Sequence, residues 1–167
     1  MKLSILCDAA GIYCPSMERD REITAIVSRS QEAVRGCLFV CIKGLHTDSH
    51  ALISDAVASG ASCILVEDGA VFERLCGVVY LSAPSTRKAL SILYHAWYGF
   101  PTRRLKIIGV TGTNGKTSVA HMLRTVLRTA WHACGIIGTV GCESEKGVIP
   151  TKTEAGLSNL TTPDPRD

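Results

Sequence analysis

The stretch that most constrains the fold runs from Ile107 to Leu127, IIGVTGTNGKTSVAHMLRTVL. Apolar and small residues climb into Gly112-Thr113-Asn114-Gly115-Lys116-Thr117, and an amphipathic segment follows. Val119, Met122, Leu123, Val126, Leu127 and Ala130 recur at intervals of three and four. That spacing predicts a helix over 116–129 with one apolar stripe facing a sheet, Met122 serving as core filler. Residues 105–110 read as the strand before the loop. A loop between a buried strand and a helix N-terminus carries free backbone N–H groups and the positive end of the helix dipole, a setting that favours phosphate. Gly112 and Gly115 allow backbone angles closed to other residues and let the chain approach an anion. Lys116 is the candidate catalytic residue, a point charge for β- and γ-phosphate oxygens, and Thr117 offers a hydroxyl to Mg²⁺. The commoner phosphate loop has a glycine five residues before the Gly-Lys pair; here that position is Val110, with Gly109 six before and Gly112 three before. Strand, loop and helix together predict ATP binding, with a purely structural glycine turn as the alternative.

This loop lies only about fifty residues from the end of a 167-residue chain. Upstream, apolar runs alternate with helical patterns, which predicts an α/β fold. Strands are expected at 22–27, 37–42, 62–66 and 78–81. Leu52, Ile53, Ala56 and Val57 have helical spacing closed by Gly60, and Ser85 caps a helix bearing Ala89, Leu90, Leu93, Ala96 and Trp97 on one face. Gly99-Phe100-Pro101-Thr102 punctuates the pattern and divides the chain into units 1–99 and 103–167. In the second unit, a strand over 135–140 follows the helix. Beyond Gly141 the chain turns polar, with three prolines, and no further strand-helix unit is expected.

Apolar residues make up 46% and charged residues 20%, which excludes a disordered chain. A net charge of +3 is too mild to indicate nucleic acid. The start, MKLSILCDAAGIYC, has only a short apolar run before Cys7 and is interrupted by Asp8, so it is not read as a signal peptide. No stretch approaches a membrane span, and the expectation is a soluble cytoplasmic monomer. Eight cysteines without a Cys-x-x-Cys pair predict reduced, buried thiols rather than a zinc site. His46, His95, His121 and His132 show no partner pattern; His50 is expected to support its loop.

GVTGTNGKTS resembles the ATP loop of the Mur ligases and their folylpolyglutamate synthetase relatives. GIIGTVG (135–141) and LTTPDP (160–165) are similar to the tripeptide synthetase, or MurE-type, branch of that family. The segment SRSQEAVRGCLFVCIKGLHTDSHALISDAVASGASCILVED (28–68) resembles the uridine-binding first domain of that branch and of its MurF neighbour. The resemblance implies a small N-terminal α/β domain over 1–99 that binds the UDP-linked substrate. It implies that 103–167 begins a P-loop-type ATP-binding domain, as the N-terminal third of a longer ligase.

Residue by residue, the resemblance implies that Gly112, Thr113, Asn114, Gly115, Lys116, Thr117 and Ser118 bind ATP, with Thr117 also on Mg²⁺. Ser28, Thr161 and Thr162 match residues that contact the UDP-muramoyl-peptide. The family aspartate before Ser-Arg is Val27 here, which removes a carboxylate that could anchor Arg29, and the glycine of Asp-Gly-His is Ser49. The implied activity is ATP-dependent amide formation in peptidoglycan precursor synthesis. It adds the third amino acid, meso-diaminopimelate by its frequency in the family, to UDP-N-acetylmuramoyl-L-alanyl-D-glutamate. Small-molecule substrates, not nucleic acid or membrane, are the implied partners. The 167-residue chain alone is expected to be inactive. A non-catalytic UDP-sugar or nucleotide-binding module, and a ligase of the MurF or folylpolyglutamate synthetase type, remain the alternatives.

Overall fold

Parallel strands covered on both faces need apolar residues at nearly every position, and residues 37–41 and 63–66 supply them, all buried. The computed structural model describes residues 1–44 and 48–149. Contacts divide the chain into two units, Met1–Leu105 and a second that begins at Lys106. The first holds a parallel sheet in the order β1 (Ile26–Val27), β2 (Leu38–Val40), β3 (Cys63–Glu67), β4 (Val79–Ala83). Alternation along the strands sorts side chains to two cores. Ile26, Leu38, Val40, Cys63 and Leu65 pack on one face with Leu3 and Leu6 of α1 (Leu3–Ala10) and Leu93 of α3 (Thr86–Trp97). Val27, Phe39, Ile64 and Val66 pack on the other with Ile53 and Ala56 of α2 (Ile53–Ala58).

Local chemistry sets the ends of these elements. Ser85 caps α3 by accepting the Lys88 N–H at 3.4 Å. Buried in the same helix, Tyr94 donates its hydroxyl to the Ile26 carbonyl at 2.7 Å and so ties α3 to β1. Gly60, just past α2, has φ +107°, and a Cβ there would stand 2.8 Å from the Arg35 Cα, so no side chain fits. The helix α1 escapes the sequence reading because its eight residues look like a short apolar run. Expected as a strand over 22–27, the first strand reduces to Ile26–Val27.

Six of the eight cysteines are buried, Cys134 is half-buried, and Cys76 is exposed, against the expectation that all would be interior. Burial pushes the Cys7 and Cys41 thiols up to about 12 and Cys63 up to about 11. A thiol of pKa about 12 has only about one thiolate in ten thousand at pH 8. Titration with a disulfide reagent at that pH should therefore modify Cys76 first, with Cys7, Cys41 and Cys63 reacting only on unfolding. Prompt reaction of these three in the folded protein would contradict the packing described.

The second unit differs more from expectation. Its helix α4 spans Lys116–Thr129, as the spacing predicts. Residues 105–110 form no strand; Leu105, Ile107 and Ile108 are exposed. A strand exists only when a neighbour takes up its N–H and C=O groups, and β5 (Ile136–Gly138) pairs with a different partner. That partner is β6 (Gly141–Ser144), itself paired with β7 (Gly147–Ile149), in an antiparallel meander that the polar look of the segment concealed. Nor does the apolar stripe of α4 face a sheet. Val119, Met122, Leu123 and Val126 are exposed, Met122 at 66%, so Met122 is not core filler among the described residues. It is Arg124 and Arg128 that reach the sheet side, pairing with Glu143 and Glu145. Among the described residues, no helix is long and apolar enough to cross a membrane.

Candidate nucleotide-binding site

The loop before α4 is shaped by its glycines. Gly112 adopts φ +145° and Gly115 φ +77°, the latter in the left-handed region at the N-cap of the helix. The first helical bond runs from the Val119 N–H to the Gly115 carbonyl at 2.9 Å. No side chain caps this end, so the N–H groups of Lys116, Thr117 and Ser118 open a fourteen-residue helix without a side-chain acceptor. Oriented donors and the helix dipole converge there on one exposed point.

Lys116 folds back over the loop. Its Nζ donates to the Gly112 carbonyl at 2.7 Å and the Thr113 carbonyl at 3.2 Å, which holds the ammonium beside the donor cluster. Thr117 Oγ1 lies 3.5 Å from Thr139 Oγ1, in the turn after β5. Backbone N–H groups, one ammonium and a hydroxyl make a donor set suited to a polyphosphate and its divalent cation. The residues present therefore fit ATP and Mg²⁺.

The family model for the Mur ligase middle domain matches residues 110–165, beginning at this loop. The chain belongs to the Mur ligase family. A UDP-N-acetylmuramoyl-L-alanyl-D-glutamate--2,6-diaminopimelate ligase of Clostridioides difficile (strain 630) is 33% identical over 168 residues, covering 100% of this chain and 32% of the relative. The enzyme of the same name from Geobacillus thermodenitrificans (strain NG80-2) is 42% identical over 141 residues, 84% of this chain and 28% of the relative. Among solved structures, MurF from Acinetobacter baumannii is similar with a TM-score of 0.56 at 26% identity, over 77% of this chain and 27% of that chain. The chain thus spans about a third of the length of the curated relatives it matches.

The other residues expected from the family resemblance fall elsewhere. Ser28 follows β1 at the carboxyl end of the parallel sheet, half-buried, the end at which open α/β sheets take ligands. It stands in the first unit, and the loop 112–118 in the second. Thr161 and Thr162 lie outside the described residues, as does His46. Val27, where the family has an aspartate, is buried among Phe39 and Ile64, an apolar site in which a carboxylate would be desolvated. Arg29 reaches Glu32 at 3.9 Å in its place.

His50 supports its loop, as expected. Its Nε2 accepts the Glu67 N–H at 3.2 Å, so the ring proton sits on Nδ1 and donates to Asp48 Oδ1 at 2.5 Å. The His50 backbone N–H, followed by this ring N–H, holds the Asp48 carboxyl below the usual carboxylate range. Two groups in the second unit were missed from sequence. Thr139 had no signal beyond its place in GIIGTVG. The Arg124/Arg128 pair opposite Glu143/Glu145 could have been found: an i,i+4 basic pair on a helix matches an i,i+2 acidic pair on one face of an extended segment.

Proposed function

We propose that this chain carries the UDP-substrate domain and the opening of the ATP-binding domain of a cytoplasmic, monomeric ligase. That ligase joins meso-diaminopimelate to UDP-N-acetylmuramoyl-L-alanyl-D-glutamate at the expense of ATP, with Mg²⁺ as the accompanying cation. One observation carries the nucleotide half of this reading: an uncapped helix N-terminus entered through a left-handed glycine, with Lys116 Nζ held over the loop carbonyls. The substrate half rests on the diaminopimelate ligases at 33% and 42% identity.

ATP, when bound, supplies the phosphoryl group that activates the substrate carboxylate toward the amine of the incoming amino acid. This chain's own residues bind and orient. The N–H groups of 116–118 and the Lys116 ammonium neutralise phosphate oxygens, and Thr117 turns a hydroxyl lone pair to the cation. Ser28, at the carboxyl end of β1, takes the UDP-sugar, and Thr161 and Thr162 hold the muramoyl-peptide. Positioning and charge neutralisation are the protein's main contribution in such transfers.

The substrate assignment is tested by ATP-dependent attachment of diaminopimelate or lysine to UDP-N-acetylmuramoyl-L-alanyl-D-glutamate, using the whole ligase of which this chain is proposed to be the opening, with phosphate release followed in parallel. Product with diaminopimelate at a rate well above lysine is expected. Product only when D-alanyl-D-alanine is supplied as the amine and the tripeptide precursor as the carboxylate would instead place the chain with the MurF-type ligases.

A further inference from the structure

The three threonines of α4 with described side-chain bonds do not behave alike. Thr125 and Thr129 donate their hydroxyls to the carbonyls four residues back, His121 and Thr125, each at 2.9 Å, the usual outlet for a helical threonine. For Thr117 the corresponding carbonyl is Thr113, and that oxygen already receives Lys116 Nζ at 3.2 Å. The side-chain partner of Thr117 is Thr139, 22 residues away, with Oγ1 to Oγ1 at 3.5 Å.

Thr139 is placed there by the sheet. Gly138 pairs with Gly141, so Thr139 and Val140 form the two-residue turn joining β5 to β6. Thr139 is exposed and adds nothing to a core. A threonine hydroxyl has one proton and two lone pairs. If a lone pair is to face a cation, the proton must be given to an acceptor on the far side, or it will point at the metal.

We propose that Thr139 is a positioning residue for Thr117: its hydroxyl accepts the Thr117 proton and turns the Thr117 lone pair toward the cation that accompanies ATP. The inference rests on the nucleotide-binding reading above. The 3.5 Å separation is long for an O–H···O bond, and such contacts tighten when the ligand is in place. Thr139 itself touches neither phosphate nor metal in this scheme.

The test is calorimetric titration of the full chain with ATP, once with Mg²⁺ and once with EDTA, for wild type, Thr139→Val, Thr139→Ser and Thr117→Val. Thr139→Val should remove about tenfold of the Mg²⁺-dependent gain in ATP affinity, the size of one lost hydrogen bond to a charged site. Affinity in EDTA should stay within about twofold, because the loop N–H groups and Lys116 are untouched. Thr139→Ser, which keeps the hydroxyl, should restore the gain, and Thr117→Val should lose it. An unchanged Mg²⁺ gain in Thr139→Val would overturn the proposal, as would an equal fall with and without Mg²⁺, or a Thr139→Ser that fails to rescue. If wild type and Lys116→Ala bind ATP equally, the nucleotide-binding reading itself is what fails, and the role of Thr139 falls with it.

Discussion

Replacing Lys116 by alanine should weaken Mg-ATP binding by about ten- to a hundredfold, as the loss of a charge-assisted contact does. The effect has two sources in the structure. The ammonium is the one positive side-chain charge in the sequence Gly112–Ser118, and its bonds to the Gly112 and Thr113 carbonyls brace the loop around the helix N-terminus. Lys116→Arg should recover little of the loss, because a planar guanidinium cannot reproduce a compact ammonium aimed at two carbonyls and a phosphate. Titration calorimetry of the three proteins decides the matter. Equal affinities for wild type and Lys116→Ala would show that the glycines form a structural turn.

Phe39→Ala should lower the unfolding free energy of the first unit by about 3–5 kcal/mol. Phe39 is fully buried in β2, the strand flanked by β1 and β3, and packs with Val27, Ile64 and Val66 under α2. Its removal leaves a ring-sized cavity that backbone hydrogen bonds on both sides of β2 prevent from collapsing. Against a typical domain stability of about 5–15 kcal/mol, that loss makes the unit marginal. The measurement is urea denaturation of a chain of residues 1–105. A single cooperative transition is expected, with a lower midpoint and unchanged slope in Phe39→Ala. A broad transition in the unsubstituted chain would show that Met1–Leu105 does not fold by itself. A shift below about 1 kcal/mol would deny Phe39 its place in the core.

Local rules were legible wherever the segment itself supplied the partner. The bounds of α4 follow from a glycine before Lys116 and a three-and-four spacing after it, and a helix needs only its own backbone for its hydrogen bonds. Ser85 as a cap and Gly60 as a stop could be read for the same reason. The parallel strands were legible because a run such as 37–41, apolar at every position, has no stable home except between two layers.

Where the partner lies elsewhere in the chain, the sequence reports only a capacity. Residues 105–110 are apolar enough for a buried strand, and the stripe Val119, Met122, Val126 is apolar enough to cover a sheet, yet Leu105, Ile107, Ile108 and the whole of that stripe are exposed among the described residues. Hydrophobic burial and strand pairing both need a second surface, and no spacing within one segment states whether that surface is there. The same limit runs in the opposite direction for Glu143 and Glu145. Their charge made the segment look like a polar tail, whereas the tertiary structure gave them Arg124 and Arg128 and a place in or beside β6. The contact of Thr117 with Thr139 belongs to this second class. By itself the sequence determined the glycine-rich loop, its charge and its helix; the tertiary structure alone decided which neighbour the Thr117 hydroxyl meets, because that depends on a turn twenty-two residues away.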